Sequence, residues 1–343
     1  MKNTANTTTD TWVMSPNKIV HIVHEMEKLG VEQQDILSNT GIAPDVMSNP
    51  NVHVTFQQTF DFIRGLNKLT DRQGIGLYLG SRENIGTCGL MGYAMSCAPN
   101  VGRALEIATL YLKTSPTLAD ISMSVEGQEL CFTVVPIVPA GDILPFVIEE
   151  MLSATLRLFH LISGTNWTPA KVSLSYDDPG YKDVYKSTFN CPIEFGAANN
   201  TMTCPASVMG FPTLQGNPVA EAVAIKLCEQ YLQEHGQVND VVQNVRRELL
   251  SSPGKFPNEE TVSNKLQIHP RVLRRQLRLQ STSFQKIFDS VREQLALEYL
   301  QHTGMPIEAI AELVGFSDAS NFRRAFKRWT NNTPSEIRSK LYG

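Results

Sequence analysis

Apolar residues in the last third of the chain recur at spacings of three and four, a pattern that predicts short amphipathic helices. One such stripe begins at Pro306, a residue that suits the first turn of a helix. Gly315 then provides the positive φ that a tight turn needs, and Ser317 or Asp318 can cap a second helix. The pattern therefore predicts a helix-turn-helix over residues 306–329. The apolar positions of its first helix are Ile307, Ile310, Ala311 and Val314.

The second helix of this unit separates an apolar stripe from a basic face. Its inward positions are Phe322, Ala325, Phe326 and Trp329. Its outward positions are Ser320, Asn321, Arg323, Arg324, Lys327 and Arg328. Cationic and planar hydrogen-bonding groups on one face suit a helix that lies in the major groove of DNA. A solvated surface helix is the alternative, but the glycine turn before it and a similar unit upstream favour DNA binding.

The upstream unit is predicted over residues 258–279. Asn258, with Thr261, can start a helix that runs to about Leu266, and Pro270 opens a second helix. The second helix places toward the core Val272, Leu273, Gln276 and Leu277. Its outer side carries Arg271, Arg274, Arg275 and Arg278. Arginines at this density suit phosphates and guanine edges better than they suit a core.

A continuous helix is predicted between the two units. Ser283 can cap it, its apolar positions step by three and four from Phe284, and Gly304 ends it. From Phe284 to Gln301 the segment spans roughly 27 Å at ~1.5 Å per residue. With the width of the flanking units added, the two basic helices would lie about 34 Å apart, one turn of duplex DNA. A single chain could then read two successive major grooves.

Together these motifs resemble the DNA-binding domain of the AraC/XylS family of bacterial transcription regulators. The resemblance is carried by Phe284, Val291-Arg292, Leu295-Ala296, Ile307–Ser317, Asn321–Trp329 and Thr333–Arg338. Three residues stand where the family often has glycine: Gln267 in the first turn, Ser281 before Thr-Ser-Phe, and Asn331 at a helix end. Asn331 is a mild change because asparagine tolerates the left-handed conformation, whereas Gln267 suits a tight turn less well.

The charge of the chain is divided between its two ends. The 343 residues carry a net charge of −4. Residues 236–343 hold 16 Lys+Arg against 11 Asp+Glu, a net +5, whereas the remainder holds 14 against 23, a net −9. An acidic protein that binds DNA is expected to concentrate its basic residues in this way. The length gives room for about two domains, and no apolar run is long enough to predict a membrane span.

Upstream of residue 236 the pattern predicts an α+β regulatory domain, which the all-α DNA-binding domain follows. Helical spacing appears at residues 16–29, 32–39, 56–66, 101–113, 145–162 and 181–189. Strand alternation appears at residues 118–125 and 129–136, around a turn at Gly127, with short strands at 171–176, 193–195 and 201–203. This order does not fit a parallel βαβ sheet. The predicted divisions are a disordered tail at 1–14, the regulatory domain at 15–210, a connecting helix at 211–236 and the DNA-binding domain at 237–343.

Two glycine-rich segments, residues 74–80 and 86–92, lack the strand and helix context of a phosphate loop. We attribute them to close packing of backbones instead.

The N-terminal domain also resembles a known module, the arabinose-binding-like domain of a subgroup that includes ornithine-utilisation and virulence regulators. The supporting residues are Leu90–Tyr93, Arg103–Leu105, Phe189–Gly196 and Asn199-Asn200, and the resemblance covers about residues 15–210. It implies that the domain senses a small-molecule effector, and it leaves homodimer formation open. It names neither the effector nor the contact residues, because members of this subgroup answer to different small molecules.

Enzymatic alternatives have little support in the sequence. His21, His24 and Glu25 come nearest to a ligand cluster, but they lack the H-E-x-x-H order and a third partner, so no metal or cofactor is expected. A methyl-accepting DNA repair protein would need an activated thiolate, yet Cys191 and Cys204 lack flanking His and Arg. A regulator governed only by its own abundance, without an effector, stays open. The absence of a C-x-x-C pair and of a signal-peptide pattern predicts a cytoplasmic protein with buried thiols.

The sequence thus predicts a sequence-specific transcription regulator, more specifically an activator, that binds double-stranded DNA. For base edges we expect Arg271, Arg274, Arg275, Ser320, Asn321 and Arg324. For the DNA backbone we expect Arg278, Arg323 and Lys327. The other expected partners are RNA polymerase and a small molecule that changes how the N-terminal domain docks or dimerises.

Overall fold

The computed structural model describes residues 14–49, 52, 54–112, 117–137, 140–232, 237–250, 254–266, 268–280 and 282–342. The chain forms two compact units, an N-terminal unit of Asp10–Pro136 with Ile143–Gly236 and a C-terminal unit of Gln237–Gly343, with which Ile137–Asp142 is grouped. The predicted fold class, α+β followed by all-α, is confirmed. Apart from Met14, the predicted tail at residues 1–14 lies outside the described residues.

The helices of the N-terminal unit follow the predicted periodicity closely, with two additions. They are α1 (Pro16–Glu27), α2 (Gln33–Leu37), α3 (Phe56–Leu69), α4 (Ile75–Ser81), α5 (Gly89–Cys97), α6 (Val101–Tyr111), α7 (Leu144–Ser163), α8 (Lys182–Phe189) and α9 (Pro218–Tyr231). Short 3-10 turns occur at Pro44–Met47, Ile85–Cys88, Gly141–Ile143 and Ala206–Gly210. Ser15 caps α1, Thr55 caps α3 in a capping box with Gln58, and Asn100 caps α6.

A mixed five-stranded sheet completes the N-terminal unit. Its strands are β1 (Ala119–Glu126), β2 (Glu129–Pro136), β3 (Lys171–Ser173), β4 (Ile193–Glu194) and β5 (Asn200–Pro205), in the order β1-β2-β5-β3-β4. The predicted hairpin of β1 and β2 is confirmed, with Gly127 at φ +61° in its turn. β5 pairs antiparallel with both β2 and β3, whereas β3 and β4 are parallel. β3 is shorter than the predicted strand at 171–176. The Ser175 N–H donates to the Asn200 side-chain oxygen instead of to a carbonyl of a neighbouring strand.

The glycine-rich segments form α4 and α5, which the sequence did not predict as helices. Gly76 and Gly80 lie where α4 crosses α7, and a Cβ atom at Gly76 would stand 2.7 Å from the Phe146 carbonyl oxygen. Gly92 of α5 likewise lies against the Ile85 carbonyl. Close packing of backbones therefore explains these glycines, and it outweighs their poor helix propensity.

The predicted connecting helix packs within the N-terminal unit as α9, against α5. Asn217 caps it. The helical spacing of Val219, Val223 and Leu227 predicts an apolar stripe on the packed side of this helix. The structure buries Ala224 and Cys228 instead, and Val223 and Leu227 are 54% and 40% exposed. The sequence stripe was therefore the wrong guide to which side of this helix packs.

The C-terminal unit consists of helices built around one long connector. They are α10 (Gln237–Leu250), α11 (Glu259–Lys265), α12 (Pro270–Leu279), α13 (Phe284–His302), α14 (Ile307–Leu313), α15 (Ala319–Thr330) and α16 (Pro334–Tyr342). Arg246 of α10 is buried and donates to Ser290 Oγ at 2.8 Å and to Gln294 Oε1 at 3.0 Å, which ties α10 to α13. No helix in the described part of either unit is long and apolar enough to cross a membrane.

Candidate nucleic-acid interface

The first helix-turn-helix is formed by α11 and α12. The Asn258 side chain caps α11 by accepting the Thr261 N–H at 2.8 Å. The turn closes where the Ile268 N–H donates to the Ser263 carbonyl at 3.0 Å, and His269 then caps α12 ahead of Pro270. Gln267 and Ser281, two of the departures from the family pattern, lie outside the described residues.

The second helix-turn-helix is formed by α14 and α15. Gly315 has φ +75°, and the Phe316 N–H donates to the Ala311 carbonyl at 2.9 Å, so the predicted glycine turn is confirmed. Of the two candidate caps, Asp318 is the one used, because its Oδ1 accepts the Asn321 N–H at 2.8 Å. Asn331 ends α15 in the left-handed conformation, at φ +59°.

The outer faces of α12 and α15 leave all the predicted DNA-contacting residues exposed: Arg271, Arg274, Arg275, Arg278, Ser320, Asn321, Arg323, Arg324 and Lys327. The opposite faces bury Leu273 and Leu277 in α12, and Phe322 and Phe326 in α15. Each helix is therefore fixed to the unit by its apolar side and presents its basic side to solvent.

Two of these arginines are held by glutamates of the preceding helix. Arg274 Nε donates to Glu259 Oε1 at 2.6 Å, and Arg323 Nη2 donates to Glu308 Oε1 at 2.7 Å. The two partners are 15 residues apart in both units. The sequence reasoning did not identify this repeated pair, although the equal spacing would have been the signal for it.

Other basic side chains on these faces have different environments. Arg324 Nη2 donates to Asn321 Oδ1 at 2.8 Å, and Asn321 in turn bonds Asp318, so three polar residues on α15 form a chain. Among the described residues, Arg271, Arg275, Arg278 and Lys327 pair with no acidic side chain. Their charges are available to an anionic partner.

The connector α13 is 19 residues long, roughly 28 Å at ~1.5 Å per residue. Ser283 caps it as predicted, by accepting the Lys286 N–H. It packs on α10, α14, α15 and α16. Ile287, Val291, Leu295 and Leu300 are its buried apolar positions, which confirms the predicted stripe.

Arg292 anchors the second turn to this connector, a role that the sequence did not reveal. Its Nε donates to the Val314 carbonyl at 2.8 Å and its Nη2 to the Gly315 carbonyl at 3.2 Å. The guanidinium carbon lies 3.4 Å from the ring centroid of Phe316. Burial lowers the pKa of Arg292 below its usual value, and Asp289 opposes that shift. One cation thus joins α13 to the turn that orients α15.

The structure places the cysteines and histidines that the sequence offered as enzymatic alternatives. Burial raises the pKa of Cys191 to about 11 and that of Cys204 to about 12, which is the opposite of thiolate activation. His21 is buried while His24 is exposed, so the two side chains differ in their access to solvent. The described residues contain no group of three or more His, Cys, Asp or Glu placed to hold a metal ion.

Both units match known families. Residues 30–213 match the arabinose-binding domain of AraC transcription regulator, N-term, and residues 262–340 match a helix-turn-helix domain. The ornithine utilization regulator of Pseudomonas aeruginosa is 29% identical over 90% of this chain and 91% of that protein. VirS of Mycobacterium tuberculosis is 24% identical over 92% of this chain and 93% of that protein.

A solved structure, the transcriptional regulator CdpR from Pseudomonas aeruginosa, has 23% identity and a TM-score of 0.39, and it covers 79% of this chain and 88% of that one. The family match at the N-terminus extends over more than half of the residues, and a helix-turn-helix match follows it. The chain belongs to the AraC family of DNA-binding transcription regulators, with an arabinose-binding-like domain at its N-terminus.

Proposed function

We propose that this regulator is a transcriptional activator whose N-terminal unit binds a small-molecule effector. The DNA-binding part of the proposal is supported by a repeated arrangement, in which α12 and α15 each present an exposed basic face. The connector α13 packs on α15 and on α10, and α10 in turn packs on α12. Their predicted separation of about one duplex turn suits two successive major grooves on one side of DNA.

The proposed contacts divide into base and backbone sets. Base edges are assigned to Arg271, Arg274, Arg275, Ser320, Asn321 and Arg324. Phosphates are assigned to Arg278, Arg323 and Lys327. Arginine forks suit guanine O6 and N7, asparagine suits adenine, and isolated cations suit phosphates. Because Arg274 and Arg323 are paired with glutamates, they must exchange those partners for DNA, which tempers non-specific binding.

The proposed division of labour assigns residues 15–210 to effector binding, 211–236 to a connecting segment and 237–343 to DNA. An effector that binds one state of the N-terminal unit better than another would shift docking or dimerisation, and so change DNA affinity. Contact with RNA polymerase follows from the activator role, and a homodimer would double the number of half-sites read.

The test is to map the DNA that the full-length chain occupies in cells, then to reconstitute transcription from those promoters. An activator increases transcript yield with RNA polymerase, and the increase depends on a metabolite of the neighbouring operon. The control carries Lys327→Ala with Arg278→Ala, which should lose promoter occupancy. A transcript yield that falls on addition of the protein would contradict activation. A yield that follows protein concentration alone, across the metabolite panel, would favour the effector-independent alternative.

A further inference from the structure

A cavity in the N-terminal unit lies among α1, α5, α6, α7 and the β1–β2 hairpin. Its volume is about 130 Å³. Apolar cavities of about 150 Å³ already bind small hydrocarbon molecules. Most of its wall is apolar, with Met91, Met95, Leu105, Met123, Phe132 and Phe159 among the lining residues. A wall of this kind favours the hydrocarbon part of a ligand.

One end of the cavity carries three charged side chains from separate elements. Lys18 of α1 donates through Nζ to both Glu83, which follows α4, and Glu150 of α7. The Glu83 side chain is 2% exposed and that of Glu150 is 12% exposed. Two carboxyl groups share one ammonium, so Lys18, Glu83 and Glu150 together carry one net negative charge when both carboxyls are ionised.

His21 approaches the cluster beside Glu83, with its Nε2 3.8 Å from Glu83 Oε1. Its Nε2 lies 3.5 Å from the Leu79 carbonyl oxygen, and its Nδ1 lies 3.3 Å from Asn84 Nδ2. The acidic partner nearest the ring is thus Glu83, whereas Glu150 is paired with Lys18. His21 is also not among the residues that line the cavity.

Glu150 is the carboxylate with capacity for a further partner. Glu83 also accepts the Asn84 N–H at 3.2 Å, whereas Glu150 bonds only Lys18 through its side chain among the described residues. Burial raises the pKa of Glu150 above its usual value, even though Lys18 opposes the shift. Burial acts on Glu83 as well, but Lys18 holds the pKa of that carboxyl below its usual value. The ionised form of Glu150 is therefore less well stabilised than that of Glu83, and a further cation beside Glu150 would stabilise it.

We propose that this cavity binds an amphiphile with a hydrocarbon body and a protonated amine, the amine against Glu150 and the body along the methionine and phenylalanine wall. An ammonium supplies the missing charge and donates charge-assisted hydrogen bonds. A carboxylate head group would enter a cluster that is already negative, and an uncharged one would leave the cluster unneutralised. The inference rests on the proposed function, because it names the chemical class of the effector.

The direct test is calorimetric titration of the full-length chain at neutral pH with decylamine, decanol and decanoate, each below its micellar concentration. Decylamine should bind roughly tenfold or more tightly than the other two, the gain expected from one charge-assisted contact. Shortening it to octylamine should weaken binding roughly fourfold per methylene. Equal or tighter binding of decanoate or decanol would overturn the choice of head group. No binding by any of the three would overturn the cavity as a ligand site.

Two variants separate the charge from the shape of the cavity. Glu150→Gln should weaken decylamine roughly tenfold or more and leave decanol unchanged. Glu194→Gln, which removes an exposed carboxylate on β4, is the matched control and should change neither. Leu158→Trp fills the cavity from α7 and should abolish binding of both ligands. Unchanged decylamine affinity in Glu150→Gln, or in Leu158→Trp, would overturn the proposal.

Operator affinity is measured in a separate experiment, so that the ligand class of the cavity and the effector role of the N-terminal unit are tested independently. If decylamine binds the native chain but alters neither operator affinity nor transcript yield, the ligand class stands and the effector role fails. If a metabolite alters operator affinity equally in the native chain and in Leu158→Trp, the effector role stands and the cavity inference fails.

Discussion

Replacing Arg292 with methionine tests how the second helix-turn-helix is held in place. The change keeps most of the apolar stem of the side chain and removes the guanidinium. The carbonyl oxygens of Val314 and Gly315 lose their donors at 2.8 and 3.2 Å, and the Phe316 ring loses its cation. The turn between α14 and α15 would then depend on Gly315 and on apolar contacts alone.

The size of the effect follows from these contacts. A hydrogen bond from a charged donor contributes about 1.5–3 kcal/mol, and a cation–π contact about 0.5–2 kcal/mol. Part of this is offset, because burial already opposes the charge on Arg292 and methionine packs well against aromatic rings. A loss of about 3–5 kcal/mol in the unfolding free energy of the C-terminal unit remains, comparable to breaking a buried ion pair.

Trp329 provides the readout, since its ring centroid lies 5.8 Å from the Arg292 guanidinium. Denaturant unfolding of the full-length chain would be followed by fluorescence, with Trp12 and Trp167 replaced by phenylalanine so that a single tryptophan reports. The midpoint should fall while the slope stays constant. DNA footprinting should show loss of protection at the half-site read by α15.

Arg328→Met is the matched control. It also removes a guanidinium from this region, but Arg328 is 69% exposed and its contact with Asp289 is 3.5 Å. Exposed pairs of this kind contribute about 0–1 kcal/mol, so the control should unfold close to the native chain. If Arg292→Met unfolds within about 1 kcal/mol of the control, its hydrogen bonds do not hold the turn and the reasoning above is wrong.

Three further changes address the DNA-binding faces and the N-terminal packing. Arg324→Ala should reduce the binding free energy at the operator by about 1–3 kcal/mol and relax the sequence preference at one base pair, whereas Lys327→Ala should weaken binding to all sequences alike. Competition binding with operator variants distinguishes the two, and unchanged discrimination in Arg324→Ala would refute its base contact. Glu308→Gln removes the charge that pairs with Arg323, so affinity for random DNA should rise, and the slope of log affinity against log salt concentration should become steeper by about one. An unchanged slope would show that Arg323 does not reach a phosphate. Gly80→Ala would drive a Cβ atom into α7 and should destabilise the N-terminal unit by about 1–3 kcal/mol, whereas a Cβ atom at Gly65 meets open space and Gly65→Ala should not destabilise it. Scanning calorimetry measures both variants, and equal melting temperatures would contradict close packing at Gly80.

Features set by neighbouring residues were predictable from the sequence. Asn258 and Ser283 start their helices because a side-chain oxygen satisfies a nearby N–H, and Gly315 turns because it lacks a Cβ atom. These effects act over three or four residues, so a linear pattern contains them. The apolar stripe of α15 could be predicted for the same reason, since Phe322, Ala325 and Phe326 lie on the one face that this helix buries.

Features set by packing between residues that are distant in the sequence could not be predicted from it. Glycines at positions 76 and 80 lower the intrinsic helix propensity of α4, and only the presence of α7 explains why a helix forms there. The face of α9 is a similar case, because α5 selects small residues, Ala224 and Cys228, in place of the larger apolar ones. Packing against a neighbouring helix therefore outweighs local helix propensity in α4 and the size of the apolar side chains in α9.

The same distinction between local and long-range effects separates the basic faces of α12 and α15 from the cavity of the N-terminal unit. Only the basic faces could be predicted from the sequence. The faces proposed to bind DNA lie on single helices, so the periodicity of α12 and α15 was enough to place their exposed side chains. The charged end of the cavity joins Lys18 to carboxylates 65 and 132 residues away, from three elements that become neighbours only in the folded unit. No spacing rule connects those positions. Operator contacts can therefore be transferred between relatives by alignment of helix faces, whereas ligand class must be judged from the charge balance that each folded cavity contains.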